Sequence, residues 1–578
     1  MTKKQTKKIW QPKNLAEIFF VNGEKYKNKN ALAYKKGHRY HKLTYGELRD
    51  EIVRAALALK KLGIEKGDCV LIASENRPEW VIVDVAIMSI GAISVPIHKN
   101  LAPSQVECIL NETKPVLAFF SDEVALKTIG DGKKKIKHLV SFEKLPELKV
   151  LFFEFLMNEV KLTDTAIKKV QKEALLIKAD TIMTVVYTSG TTGKPKGAQL
   201  THKNIVFVVS SFEEKLSFVS NDIFFSILPL SHIFERVAGN FMPFLVGASI
   251  EYCVDIANFS SDIKKVKPTV ILAVPRLFEK VYDQVYSKVG EKLITKTLFN
   301  LAMNYEKTNG LMANLFDRIL FQRIRDNLGG NIRLCIAGGA ATNPDILRFF
   351  NKIGIALVEG YGLTETASAL SANDPVNNRI STVGQPINGL DVKIAGDGEI
   401  LIKGDSVTLG YLNPTDDIGA FTKDGFFKTG DLGEIDDDGY IKIIGRKKDV
   451  QVLTTGEKVV PVVIENALTS SSYIEQALAI GNGYKHIAAI IVPNFEHVSE
   501  RLNIDKKEVC DDKELRSLLD REIGEAVRDL PKIQQVKKYI IAREPFSIGN
   551  NQMTASLKPR RQEIIKAYAR EIKKLYHK

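Results

Sequence analysis

Between Tyr187 and Gly197 the chain reads YTSGTTGKPKG, which crowds hydroxyls, glycines and lysines into one short segment behind the apolar run Ile182 to Val186. Glycines let backbone N–H groups turn toward one point, and Ser/Thr hydroxyls and lysine charge add donors, so this composition suits a cradle for phosphate oxygens. Thr188, Ser189, Gly190, Thr191, Thr192, Gly193 and Lys196 are its candidate contacts. It is not a Walker A loop. Lys194 follows Gly193 as that motif requires, but Pro195 stands where a Mg-binding Ser/Thr belongs, and the spaced upstream glycine is missing.

The elements that must hold this loop follow from periodicity. From about residue 45 to 330, helical stretches alternate with short apolar runs. Leu43 to Gly63 carries helical spacing behind a Thr-led start. CVLIA (Cys69 to Ala73), AISVPI (Ala92 to Ile97), TVILAVP (Thr269 to Pro275) and IRLCIAGG (Ile332 to Gly339) read as buried strands. Such alternation implies parallel sheets covered by helices, an α/β class. Pro275 to about Gly330 is mostly helical. Near Gly384 the character changes to short alternating runs, VKIAGDGEILIKG and GYIKIIG, separated by Gly, Asp and Asn turns, which predicts a small antiparallel β unit or barrel over about 384–447. A domain boundary is expected at about residue 447. Beyond it, Ala477 to Pro493 reads as two strands around a Gly-Asn-Gly turn, and Leu515 to Lys578 as largely helical.

Composition narrows the classes of function. At 578 residues the chain exceeds a single core, so two or more domains are expected. No stretch reaches the roughly 18 apolar residues of a membrane span; Val81 to Ile97, the nearest, is broken by Asp84 and Pro96 and reads as a buried helix followed by a strand. The N-terminal MTKKQTKKIW is basic with no apolar run behind it, which speaks against a secretory signal. Five scattered cysteines without a C-x-x-C speak against disulfides and zinc and for a reducing cytoplasmic setting. Nine histidines without ligand spacing argue against a protein-held transition metal. The net charge of +13 is read as a lysine-rich solvated surface; no aromatic-interleaved basic patch points to nucleic acid, and none is expected as a partner.

Four further strings stand in order around the phosphate loop: LPLSHIFER (Leu228 to Arg236), EGYGLTETA (Glu359 to Ala367), KTGDLGEIDDDGYIKIIGRKKD (Lys428 to Asp449) and MTASLKPRR (Met553 to Arg561). Together the five resemble the AMP-forming acyl-adenylate ligases, the acyl-CoA synthetase family, over about residues 15 to 570. LPLSHIFER and VPRLFEKVY, with the helical insertion after the latter, most resemble its long-chain fatty acid branch. The resemblance implies a large N-terminal AMP-binding domain, 1–447, with two parallel-type α/β sheet subdomains and a small β-barrel subdomain. A smaller mobile α+β lid, 448–578, follows it. It also implies a two-step reaction. A fatty acid carboxylate attacks the α-phosphate of ATP with Mg2+ present, giving acyl-AMP and pyrophosphate, and the thiol of coenzyme A then displaces AMP.

Position by position, the resemblance makes Lys558 the lysine that bridges the attacking carboxylate and the α-phosphate. The family's T-P-T before it is here Thr554-Ala555-Ser556, so the hydroxyls survive and the proline does not. Glu365 matches the Mg2+ ligand, with Thr188 as a second contact, and Thr364 a hydroxyl contact to the α-phosphate. Tyr361 would stack on adenine. Gly338, Gly339 and Gly362 would let the backbone approach the nucleotide and acyl chain. Asp431 matches the acceptor of both ribose hydroxyls, and Arg446 a second ribose or phosphate contact. Lys448 falls at the hinge between the two domains. His232, with Ser231 and Phe234, matches the motif beside the acyl carboxylate, and a packed core histidine is the competing reading. Acyl carrier protein in place of coenzyme A, a shorter or aromatic acid, and a catalytically dead lipid-binding scaffold are the rival functions. The last should lack Lys558, Glu365 or Asp431, and all three are present. Peripheral contact with the inner face of the cell membrane, and a monomer or homodimer, complete the expectations.

Overall fold

The computed structural model describes residues 10–36, 39–189, 194–253, 255–290, 293–305, 310–547, 549–554 and 558–576. The chain divides into two compact units. One comprises Met1–Val392, Ile402–Phe427 and Asp436–Ile441; the other comprises Lys393–Leu401, Lys428–Ile435 and Lys442–Lys578.

Two large sheets organise the first unit. In spatial order, the seven-stranded sheet runs Leu151–Phe152, His138–Ser141, Leu117–Phe120, Cys69–Ala73, Ile93–Ile97, Ile182–Ser189, Pro195–Thr201. Its pairs are parallel except the last, which is an antiparallel hairpin. The nine-stranded sheet is parallel through Ser249–Tyr252, Ile223–Ser226, Val270–Ala273, Leu334–Ala337 and Ala356–Tyr361, and antiparallel at its two ends. VILA and LCIA are buried at every position, as strands covered by helices on both faces must be. The expected helix at Leu43 to Gly63 is Tyr45–Lys61, started by a capping box in which Thr44 and Glu47 satisfy each other's backbone N–H. The segment Val81 to Ile97 is a buried helix, Pro78–Ser89, and a strand, Ile93–Ile97, as its interrupted apolar run predicts. The β-rich stretch after Gly384 is a four-stranded sheet in chain order, Leu390–Ile394, Glu399–Gly404, Phe427–Ile435, Ile441–Arg446.

The second unit carries a three-stranded sheet of Ile474–Ile480, Ala488–Pro493 and Lys538–Ile541. Its two-residue period separates two cores. Ala477, Ala479, Ala489 and Ile491 pack with Ile464, Leu515 and Leu519, whereas Leu478, Ile480, Ile490 and Val492 pack with Phe546, Ile564 and Ile572. The third strand corrects the reading of Leu515 to Lys578 as largely helical. KYII is too short to tell strand from helix by its periodicity, and its parallel pairing with Ala488–Pro493 decides the matter.

Candidate active site

The glycine-rich loop joins the hairpin strands Ile182–Ser189 and Pro195–Thr201, with Thr188 opposite Lys196 and Tyr187 opposite Gly197. Gly190, Thr191, Thr192 and Gly193 lie outside the described residues, and Ser189 is described by its backbone alone. Each lysine beyond the loop meets an acid. Lys194 Nζ is 3.2 Å from Glu112 Oε1, whose Oε2 accepts from the Tyr187 hydroxyl at 3.0 Å. Lys196 Nζ is 3.5 Å from Asp416 Oδ1 and lies over the Tyr411 ring, 5.1 Å from its centroid.

Tyr411 then reaches a third segment: its hydroxyl donates to Glu365 Oε1 at 2.7 Å. Glu365 stands in the single 3-10 turn Thr364–Thr366, which follows the strand Ala356–Tyr361. The turn is fixed from within by Leu363 N–H donating to Thr366 Oγ1 at 2.9 Å, and from outside by Thr408 N–H donating to the Glu365 carbonyl at 2.8 Å. A Cβ on Gly362 would come within 2.1 Å of the Ser368 carbonyl oxygen, so only glycine fits in YGLTE. Lys196, Tyr411 and Glu365, drawn from three distant stretches, thus form one connected chain.

Gly338 and Gly339 follow the buried strand Leu334–Ala337, and a Cβ on Gly338 would meet the Phe234 ring at 3.0 Å. The LPLSHIFER string therefore lays its aromatic residue on Gly338. His232 is exposed, which sets aside the packed-core reading; its Nδ1 accepts from Phe234 N–H at 3.4 Å. The strand bearing Tyr361 also carries Glu359, whose buried carboxyl accepts from Thr342 N–H at 2.8 Å. Burial pushes its pKa up to about 7. Arg236, the last residue of the string, is fully buried. It forms a two-pronged pair with Asp84 at 2.9 and 2.6 Å and donates to Thr184 Oγ1 at 2.7 Å.

The second unit holds Asp431, Arg446, Lys448 and Lys558. Asp431 is buried, and Arg446 Nε lies 2.9 Å from its Oδ1, so the expected ribose contact Arg446 is directly paired with the expected ribose acceptor. Lys448 is exposed in the short turn Lys447–Asp449 after the strand Ile441–Arg446, while its neighbour Lys447 is tied to Asp397 and Glu399 at 2.6 and 2.7 Å. Lys558 closes a narrow loop. Thr554 N–H donates to the Lys558 carbonyl at 2.9 Å, Lys558 N–H donates to Thr554 Oγ1 at 3.0 Å, and Met553 bridges to Pro559. These bonds fix the two ends of a loop that lacks the family's proline; residues 555–557 lie outside the described ones. Arg561 anchors it further, through Glu465 at 2.6 Å and the Ala479 carbonyl at 2.9 Å.

Tyr411, Glu112, Asp416 and Glu359 escape a reading of the sequence. Only Glu359 carries a signal there, by standing inside the EGYGLTE string. No group of three or more His, Cys, Asp or Glu side chains among the described residues could hold a metal alone. A lone oriented carboxylate such as Glu365 fits Mg2+, which takes one or two protein oxygens and completes its shell with phosphate and water.

Residues 19–412 match the AMP-binding enzymes, and residues 448–578 match the AMP-binding enzyme C-terminal domain. Among solved structures, the adenylation domain of a carboxylate reductase from Mycobacterium chelonae has the same fold, with a TM-score of 0.77 at 21% identity over 98% of this chain and 91% of that one. A benzoate CoA ligase from Burkholderia xenovorans scores 0.73 at 18% identity over 95% and 99%. The chain belongs to the AMP-binding enzyme family. Within it, the chain is 30% identical to the long-chain-fatty-acid–CoA ligase FadD15 of Mycobacterium bovis, over 93% of this chain and 92% of that one. It is 31% identical to long chain acyl-CoA synthetase 1 of Arabidopsis thaliana, over 97% and 92%.

Proposed function

We propose that this protein is an ATP-dependent long-chain fatty acid–CoA ligase. It converts the acid to acyl-AMP with release of pyrophosphate, then transfers the acyl group to coenzyme A and releases AMP. The connected chain Lys196–Tyr411–Glu365 carries the adenylation reading, and near-full-length similarity to long-chain ligases supports the acid and the thiol.

The chemistry asks for cations and dipoles. A carboxylate and a triphosphate repel; two unit charges about 4 Å apart at an effective dielectric near 20 cost about 4 kcal/mol, on the order of a thousandfold in rate. In this reading Lys196 and the 188–193 loop hold the outer phosphates and Thr364 meets the α-phosphate. Lys558 bridges carboxylate and α-phosphate, where its charge matters most in the transition state. Glu365, with Thr188, would hold Mg2+, which supplies charge neutralisation at the triphosphate. Tyr361 stacks on adenine with Gly338, Gly339 and Gly362 at its edges, Asp431 accepts from the ribose beside Arg446, and His232 with Phe234 borders the acyl carboxylate.

Residues 1–447 would form the adenylation domain and 448–578 a lid that turns at Lys448 between the half-reactions. No helix among the described residues is long and apolar enough to cross a membrane, and we place the enzyme in the cytoplasm. Pyrophosphate release, measured with ATP and Mg2+ over carboxylates from acetate to acids of about twenty carbons, with and without coenzyme A, tests the reading. A long-chain maximum with thioester formation is expected. Acyl-AMP that accumulates without thioester would transfer the acceptor role to a carrier protein.

A further inference from the structure

Sixteen large hydrophobic side chains are exposed among the described residues, and six of them fall between 298 and 319. They are Leu298, Leu301, Leu311, Met312, Leu315 and Ile319, with Leu311 at 91% exposure. Scattered single hydrophobics are ordinary on a protein surface; a concentration in one helical segment is not.

These helices are anchored from the other side. Phe299 of the helix Leu293–Asn304 and Phe321 of the short π-helix Asp317–Phe321 are buried with Phe349 and Phe350, and the Tyr305 and Phe316 ring centroids lie 5.8 Å apart. The segment is therefore docked by one apolar face and leaves a second exposed among the described residues. Leu311, Leu315 and Ile319 recur at four-residue intervals, the spacing of one side of a helix.

Charge identifies the partner. Arg318 and Arg323 are exposed on the same stretch. The adjoining helix Phe259–Val266 presents exposed Lys264 and Lys265, and it is joined to this stretch by Lys264 Nζ donating to Asn327 Oδ1 at 2.9 Å. Of the acids on this stretch, Asp317 is paired with Arg325 at 2.6 Å, while Asp326 accepts from the neutral Gln322 amide at 2.8 Å and keeps its charge, which leaves the exposed cations in excess. A second copy of this chain docked on this face by two-fold symmetry would bring the same cations toward one another. An anionic lipid surface attracts them and accepts the leucines at the headgroup–acyl boundary.

We propose that the face formed by Leu311, Met312, Leu315 and Ile319, rimmed by Arg318, Arg323 and Lys264, docks this protein on anionic membranes. The full chain is sedimented with phosphatidylcholine vesicles and with vesicles of phosphatidylcholine and phosphatidylglycerol. Wild type is expected to pellet with the anionic vesicles and to be released by added salt. Leu311→Ser/Leu315→Ser should lower partitioning at least tenfold, and Leu311→Ser alone should lower it by a smaller factor. Arg318→Ala/Arg323→Ala should erase the preference for anionic lipid. Val376→Ser/Ile418→Ser, at exposed apolar positions elsewhere, should bind as wild type does. Wild type that stays in the supernatant with both vesicles overturns the proposal, as does a serine double variant that still pellets. A concentration-dependent dimer dispersed by Leu311→Ser/Leu315→Ser also overturns it and assigns the face to self-association. Vesicle binding is read without catalysis, so it stands apart from the ligase reading.

Discussion

Tyr411 links two residues of unlike chemistry, offering its ring to Lys196 and its hydroxyl to Glu365. The hydroxyl fixes one oxygen of the carboxylate that would hold Mg2+, so Tyr411 acts as a positioning residue. Tyr411→Phe keeps the ring contact and removes only that bond. A hydrogen bond to a charged group contributes about 1.5–3 kcal/mol, so the Mg2+ concentration for half-maximal pyrophosphate release should rise about tenfold or more. The thermal stabilisation of the protein by ATP with Mg2+ should shrink as well, while stabilisation by ATP with EDTA stays as in wild type. An unchanged Mg2+ response in both measurements would reduce Tyr411 to packing. Glu365→Gln, which removes the charge itself, should weaken adenylation and Mg2+ dependence together, and an unaltered metal titration would remove Glu365 from the site.

At the scale of the element, the segment Glu235–Phe241 is a π-helix, all seven residues of which are buried, Glu235 and Arg236 included. Wide turns of this kind recur at functional sites, and this one begins inside the string that lays Phe234 on Gly338. A Cβ on Gly239 would stand 2.7 Å from the Glu235 carboxyl carbon, so the glycine makes room for that group. Burial raises the Glu235 pKa to about 8 from an ordinary 4.5, against a smaller opposing pull from the Ser226 hydroxyl and the Leu228 N–H. The folded chain keeps this proton while the unfolded chain has lost it, so Glu235 lowers stability progressively as pH rises from about 4.5 to about 8. Glu235→Gln should flatten that slope and gain on wild type toward pH 8 in urea denaturation; parallel pH profiles would refute it. Arg236→Leu should cost about 3–5 kcal/mol, because it strands the Asp84 carboxylate in the core. Trp80 fluorescence can report the loss, since Arg236 lies over that ring at 5.5 Å. The sequence made VILA and LCIA legible as strands because unbroken burial leaves an unbroken apolar run, and CVLIA because only its leading Cys69 is partly exposed. It left the π-helix unread, since local periodicity does not distinguish one widened turn, and KYII, whose state depends on a partner strand almost fifty residues away. Tyr411 and Asp416 were illegible for a related reason: ordinary loop residues gain a role only where folding sets them beside Glu365 and Lys196.

At the scale of the whole molecule, the residues proposed for the chemistry are divided between two compact units. Lys196, Thr364 and Glu365 belong to the first, and Lys558, within the proposed lid 448–578, to the second. A group needed in one half-reaction and carried on a unit that turns between steps should matter to that half-reaction alone. In the proposed mechanism the Lys558 charge would offset repulsion between carboxylate and triphosphate, a repulsion that no longer exists once acyl-AMP has formed and pyrophosphate has left. Lys558→Ala should therefore lose ATP-dependent activity by at least about a hundredfold, the cost of removing one preorganised transition-state donor, yet convert supplied acyl-AMP and coenzyme A to thioester at close to the wild-type rate. Its exposure makes the substitution mild for folding, and the Thr554 and Arg561 contacts that fix the loop do not use the Lys558 side chain. Lys448→Pro is the complementary variant, because proline restricts the backbone rotation that a turn at this position needs. It should retain pyrophosphate release in the first turnover and slow thioester formation. Equal loss of both half-reactions in Lys558→Ala would show that the lysine serves a single arrangement of the two units, and the division of labour between them would fall with it.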